Sequence, residues 1–282
     1  MTMLHNTPWE IYTIGNRIVH VKREDLCCGQ GGPPFSKMRG VVEHIIACGK
    51  PIIAVLDTGH SMAGWGVAWA CNNLNLKCVN YFPVYVRELK DKFAGLGFDN
   101  ITLRKFQKES RKLGAQLVPL GAGRSAVLYH QAKKHFVAEY GCDGYFMPNA
   151  LKLGNTVRAT AKELLTTTHV NLYGGSWVIS ISSGTIAAGV IAGLQRAHDA
   201  IDIYAHMGYS RSFDSAARYI CSNAGYWPDN FWLIDEGYEY KDKVDYDCPF
   251  PCNEYYDLKA WKWLNENIDT LRDPIIFWNI GA

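Results

Sequence analysis

The chain has 282 residues, of which 48% are hydrophobic and 20% charged, with a formal net charge of +2. That balance is the composition of a folded protein with a sizeable core and excludes a disordered chain; so small a net charge gives no general affinity for polyanions. The length suits one large domain or two intimately joined lobes.

In chain order, Val21–Leu26 reads as an extended charged segment, followed by a Gly/Pro-rich turn and then by Phe35-Ser-Lys-Met-Arg-Gly40 opening a helix. Pro51–Leu56 reads as a buried strand leading through a small-residue turn into a helical pattern at Val67, Ala68, Ala70 and Cys71. Strands are expected at Lys77–Phe82 and Gln116–Leu120, and helices at Tyr85–Leu96, Ser125–Tyr140 and Asn155–Leu165. Trp177–Ser182 is a strand running into a helix at Thr185–Ala197, and Asp202–His206 is a further strand. A helical segment near Leu258–Ile268 and a last strand, Ile275–Trp278, close the chain. This alternation predicts an α/β protein with mainly parallel sheets flanked by helices.

The basic run from Arg87 to Lys112 reads as a solvated helix face. Nine cysteines without a framework, and no signal peptide ahead of them, imply reduced thiols and a cytoplasmic setting. Cys248 and Cys252 lack a second ligand pair at zinc spacing, so no metal is expected. The longest apolar stretch, Trp177–Leu194, is broken by Ser182, Ser183, Gly184 and Thr185, so no membrane span is expected.

Four constellations could carry chemistry. Lys37 stands at the entrance of a helix, where partial desolvation and the helix dipole would disfavour the ammonium form and leave the neutral amine that a Schiff base requires; taken alone, a solvated surface lysine is the plainer reading. Ser182-Ser-Gly-Thr185 joins a strand to an apolar helix, bringing backbone amides and hydroxyls together as a phosphate site would; an ordinary N-cap is the plainer alternative. His60 and Ser61 lie in a small-residue turn at the carboxyl end of a strand, where open α/β folds place ligands, although each alone is as well explained as a cap. Tyr256 is a candidate proton donor, and Asp257 is either a partner for a protonated heterocyclic nitrogen or a helix-start acid.

Taken in order, these segments resemble the pyridoxal 5'-phosphate (PLP) enzymes of fold type II, the tryptophan-synthase-β-like group, and within it 1-aminocyclopropane-1-carboxylate (ACC) deaminase and D-cysteine desulfhydrase. Lys22-Arg-Glu-Asp-Leu26 and Ser36-Lys-Met-Arg39 are similar to the family's KREDL and NKxRK motifs, which implies that Lys37 forms the Schiff base with the cofactor. His60-Ser-Met resembles the start of QSNHxRQVA, which implies a substrate-facing Ser61 and places His60 with the cofactor-binding residues. Ile181-Ser-Ser-Gly-Thr185 resembles the GSGGT phosphate cup, and Tyr256-Asp-Leu-Lys259 the YEGK motif, whose tyrosine lies at the substrate and whose acid contacts the pyridine nitrogen. Ile275–Gly281 is similar to the closing LFxHTGG strand.

The departures are Met62 in place of an asparagine, Ile181 and Ser183 where glycines are usual, Ile280 in place of a threonine, and a shortened stretch between Asp245 and Tyr256. The resemblance implies a two-lobed fold, with residues 1–50 and 157–282 forming a large cofactor-binding lobe and 51–156 a small substrate lobe. It also implies a homodimer and a PLP-dependent lyase or deaminase acting on a small amino acid. An alternative within the group is a phage DNA-hypermodification enzyme that decarboxylates or rearranges an amino acid attached to a thymine base, for which the basic run and the shortened stretch would suit a bulky anionic substrate. A third reading is a non-catalytic binding protein with the same fold.

Overall fold

The computed structural model describes residues 4–84, 103–121, 123–166, 174–195 and 201–282. The expected helix Tyr85–Leu96 and most of the basic run lie outside these residues. Two compact units are resolved, one formed by Met1–Gly40 with Leu153–Ala282 and the other by Val41–Lys152.

The first unit holds a six-stranded sheet made of β1 (Trp9–Ile14), β2 (Arg17–Arg23), β7 (Gly175–Ile181), β8 (Ile201–Met207), β9 (Phe231–Ile234) and β10 (Ile275–Asn279), in the order β1-β2-β10-β7-β8-β9. Only β1 and β2 pair antiparallel; the other neighbours are parallel. β7 and β10 are buried at every residue, which is why they read as unbroken apolar runs rather than alternating ones. Because β10, β7 and β8 run parallel, Asn279, Ile181 and Met207 all end at one edge of the sheet.

The second unit carries an all-parallel sheet of β3 (Ile52–Leu56), β4 (Lys77–Val84), β5 (Gln116–Gly121) and β6 (Gly144–Phe146), in the order β5-β4-β3-β6. Helices α2 (Ala63–Asn73), α3 (Lys105–Lys112) and α4 (Ser125–Tyr140) belong to this unit, and α1 (Met38–Cys48) enters it from the first. Its core joins Ala54, Leu56, Val79 and Tyr81 to Leu128, Phe136 and Phe146. The described end of the basic run, α3, is not wholly solvated, since Gln107 and Ser110 are buried.

In the first unit α5 (Gly154–Thr166) packs on α6 (Thr185–Gly193), which ends earlier than the apolar pattern suggested. Helix α6 is buried nearly all round, and its glycines permit this approach. A Cβ on Gly189 would lie 2.5 Å from Thr160 Cβ and 2.8 Å from the Val157 carbonyl oxygen, whereas one on Gly193 would meet nothing closer than 3.2 Å. The remaining helices are α7 (Phe213–Ala224) and α8 (Asp257–Glu266). Among the described residues no helix is long and apolar enough to cross a membrane.

Overpacking at a backbone contact costs ~1–3 kcal/mol, against a helix-propensity gain of up to about 1 kcal/mol for alanine over glycine. Urea denaturation should therefore find Gly189→Ala less stable than the parent and Gly193→Ala close to it.

Candidate active site

Lys37 is the last residue before α1 and is buried, with 7% exposure. Its Nζ donates to Ser183 Oγ at 2.7 Å, across 146 residues of sequence. Ser183 and Thr185 are buried as well, and their hydroxyls lie 3.0 Å apart. The Thr185 hydroxyl is 3.1 Å from the phenol of Tyr219, on α7, a partner that the sequence motifs did not single out. Between them Gly184 adopts φ +85°, and a Cβ there would press on Ile220 at 2.7 Å, so the turn needs glycine for both conformation and space. Ser182 is half-buried at the same turn. An amine, two buried hydroxyls and the N-terminus of α6 thus converge at the carboxyl edge of β7, where the Thr185 amide donates to Ser183 Oγ at 3.4 Å and the positive end of the helix dipole faces the same place.

Asp257 reaches this place through the last strand. The Ile280 amide donates to Asp257 Oδ1 at 3.2 Å, and the Ser36 amide donates to the Ile280 carbonyl at 2.9 Å. The backbone of Ile280 therefore links the residue before Lys37 to the carboxylate. Asp257 is 2% exposed; burial pushes its carboxyl up to about 8, against which the Ile280 and Gly281 amides pull down and the nearby Asp25 pushes further up. No cation pairs with it among the described residues, and the Ser36 hydroxyl is also buried without a partner.

Tyr256, half-buried, caps α8 and packs on Gly208, where a Cβ would stand 2.9 Å from its Cδ1. Gly208 follows β8 and donates its amide to the Ile181 carbonyl at 3.0 Å, which ties Tyr256 to the loop beside the Ser183 turn. The Gly208 carbonyl accepts from Lys259 Nζ at 2.6 Å. Lys259 is fully buried, and burial lowers its pKa to about 8. It is a structural member of the site to which the motif gave no role.

His60 and Ser61 belong to the second unit. They lie half-buried in the turn between β3 and α2, where Ser61 Oγ accepts from the Ala63 amide at 3.0 Å, as a helix-start serine does. Beneath this turn Asp57 is buried, with its carboxyl pushed up to about 7 by burial, against the Thr58 amide that holds it down. All nine cysteines are free thiols. Among the described residues no group of three or more His, Cys, Asp or Glu could hold a metal ion.

No protein-family model matches the chain. A protein of Pseudomonas phage M6 named glycyl-dTMP PLP-dependent decarboxylase is 47% identical over 286 residues, covering 99% of this chain and 99% of its own length. Among solved structures, an ACC deaminase homologue matches with a TM-score of 0.76 at 16% identity, over 100% of this chain and 90% of that one. The O-acetylserine-dependent cystathionine beta-synthase of Helicobacter pylori matches at 0.66 and 17% identity, over 99% and 92% of the two chains. Serine racemase of Dictyostelium discoideum matches at 0.61 and 13%, over 99% and 92%. At such identities these structures show the fold, which is that of the type II PLP enzymes.

Asp257 sets a pH dependence of stability. Its folded pKa, about 8, lies above the ordinary 3.8, so between those values the folded state holds a proton that the unfolded state has lost. Stability from this group therefore falls as pH rises through that window and is level above it. In protein freed of small molecules, the urea midpoint of Asp257→Asn should fall less than that of the parent between about pH 5 and about pH 8.

Proposed function

This chain belongs to the family of the phage glycyl-dTMP PLP-dependent decarboxylase, and from that premise we propose that it decarboxylates an amino acid carried on a thymine nucleotide, glycyl-dTMP, with Lys37 holding the cofactor. It is a PLP-dependent enzyme of fold type II. The observation that carries the assignment of Lys37 is its 2.7 Å contact with Ser183 at the start of α6.

The residues fit PLP. A buried amine stands beside two buried hydroxyls at a helix N-terminus, and a buried carboxyl lacks a cation. Ser182, Ser183, Gly184 and Thr185 would hold the phosphate, Lys37 the aldehyde carbon and Asp257 the ring nitrogen. When bound, PLP supplies an electron sink for the pair left behind by a departing carboxylate.

The protein's own groups do the rest. Asp257, protonated near neutral pH while it faces no cation, ionises when a positive nitrogen is set against it. The substrate carboxylate leaves as carbon dioxide and a proton takes its place on the same carbon; Lys37 Nζ and the Tyr256 hydroxyl are the groups that hold and deliver that proton. The roles of Ser61, toward the substrate carboxylate, and of His60, toward the cofactor, rest on the resemblance of their motif.

The alternative of a lyase or deaminase for free amino acids uses the same Lys37, but the match to the phage decarboxylase over both full lengths favours the nucleotide-borne substrate. Mass spectrometry should show glycyl-dTMP losing the mass of carbon dioxide, with free glycine, D-cysteine and aminocyclopropane carboxylate unchanged. Turnover of the free amino acids alone would overturn the substrate assignment. Lys37→Ala should lack the visible absorbance band that borohydride abolishes in the parent and lose at least about 10³-fold in kcat. Tyr256→Phe should keep the band and lose ~10²–10⁴-fold in kcat.

A further inference from the structure

Arg211 lies in the loop between β8 and α7, on the strand next to β7 at the same carboxyl edge as the Ser183 turn. Its Nε and Nη2 are closed off from solvent and make no hydrogen bond. No carboxylate pairs with it among the described residues; its neighbours are phenols, with the Tyr209 ring 6.0 Å from the guanidinium carbon and Tyr219 within electrostatic range. Tyr219 is the residue whose hydroxyl bonds Thr185 and whose ring lies against Gly184. Burial holds the Arg211 pKa below the usual arginine value, with Tyr209 and Tyr219 opposing. Even so, a guanidinium keeps its proton in any protein setting.

Arg211 is half-buried, yet two of its three guanidinium nitrogens are shut off from water without a hydrogen bond, and a charge that cannot be shed and has no carboxylate set against it is suited to an anion. The turn beside it is built for one but is short of positive charge. The α6 dipole contributes only about half a unit, while a phosphate monoester carries about −1.5 to −2 at neutral pH. Lys37 cannot make up the difference, because its amine must be neutral to bond carbon. We propose that Arg211 is the cationic clamp of a phosphate monoester bound at or next to the Ser183–Thr185 turn, on the Tyr219 side of it. The inference deepens the cofactor reading and rests on it. The phosphate is that of PLP or that of the thymine nucleotide, and the two have different consequences.

Reconstitution of the cofactor-free parent, Arg211→Gln and Arg211→Lys with PLP and with pyridoxal, which lacks the phosphate, separates the sources when combined with calorimetric binding of dTMP and thymidine. If the phosphate is the cofactor's, Arg211→Gln weakens PLP by about 10- to 100-fold, as expected for losing charge-assisted hydrogen bonds, leaves pyridoxal unchanged, and Arg211→Lys recovers part of the loss. If it is the nucleotide's, PLP is unaffected, while dTMP weakens by a similar factor and thymidine does not. Parent-like binding of both phosphates by Arg211→Gln overturns the proposal, as does equal weakening of PLP and pyridoxal with dTMP unchanged, which would make Arg211 a packing residue. A parent that takes up neither PLP nor pyridoxal would sink the cofactor reading instead, and dTMP binding would then decide for or against the clamp.

Discussion

Glu163, on α5, accepts from Lys22 Nζ at 2.7 Å and faces Arg39 Nη2 at 3.3 Å, while Arg39 also meets Glu24 at 3.1 Å. Glu24 in turn takes the hydroxyl of Thr7. Lys22 and Glu24 are wholly closed off from water and Glu163 nearly so. Burial alone would raise Glu163, yet Lys22 and Arg39 hold it below the ordinary carboxylate value. Removing any one partner would strand an opposite charge away from solvent, at a cost of about 3–5 kcal/mol. The cluster therefore pins the end of β2, the first turn of α1 and the side of α5 to one another. Lys37 is two residues before Arg39, so the position of its amine is inherited from this buried arrangement rather than from anything Lys37 does itself.

The last strand performs the complementary task. Asn279 is fully buried and donates to Asp25 Oδ1 and to the Pro251 carbonyl, and Asp25 also takes both Nε and Nη2 of Arg23. One residue on, the Ile280 amide and carbonyl hold Asp257 and Ser36, and Gly281 bridges to Phe35. Ile280 stands where the resembling motif has a threonine, and the contacts it makes here are through its backbone. The side chain of Ile280 offers no hydrogen-bonding group, so its backbone alone makes the link between the amine-bearing segment and the carboxyl.

The parallel strands were legible in the sequence because their burial on both faces leaves continuous apolar runs such as Ile52–Leu56 and Trp177–Ile181. The Lys37 motif was legible by resemblance, although the structure gives most of its residues to ion pairs: Lys22, Arg23, Glu24, Asp25 and Arg39 all hold other charges. The hairpin of β1 and β2 was read only at its end, since β1 mixes exposed and half-buried residues without a strong pattern, and the charged run turns after Arg23 into a single 3-10 turn. Glu163, Tyr219 and Arg211 were not legible at all. Glu163 meets Lys22 across 141 residues, and nothing local in its helix distinguishes it from a solvated acid.

Asp257 and Lys259 show how such long-range placement decides chemistry. They are two positions apart at the start of α8, a spacing that points side chains to different sides of a helix. Each is buried and each is pushed toward its neutral form, the acid up to about 8 and the amine down to about 8, so they do not cancel one another. Lys259 settles on the Gly208 carbonyl and so fixes the loop on which Tyr256 packs, while Asp257 settles on the Ile280 amide beside the Lys37 segment. The acid is thus left with unspent capacity for a cation, whereas the amine is committed to backbone. A group that places a positive nitrogen at Asp257 recovers the cost of burying that carboxyl, and by linkage its binding stabilises the fold that presents the site.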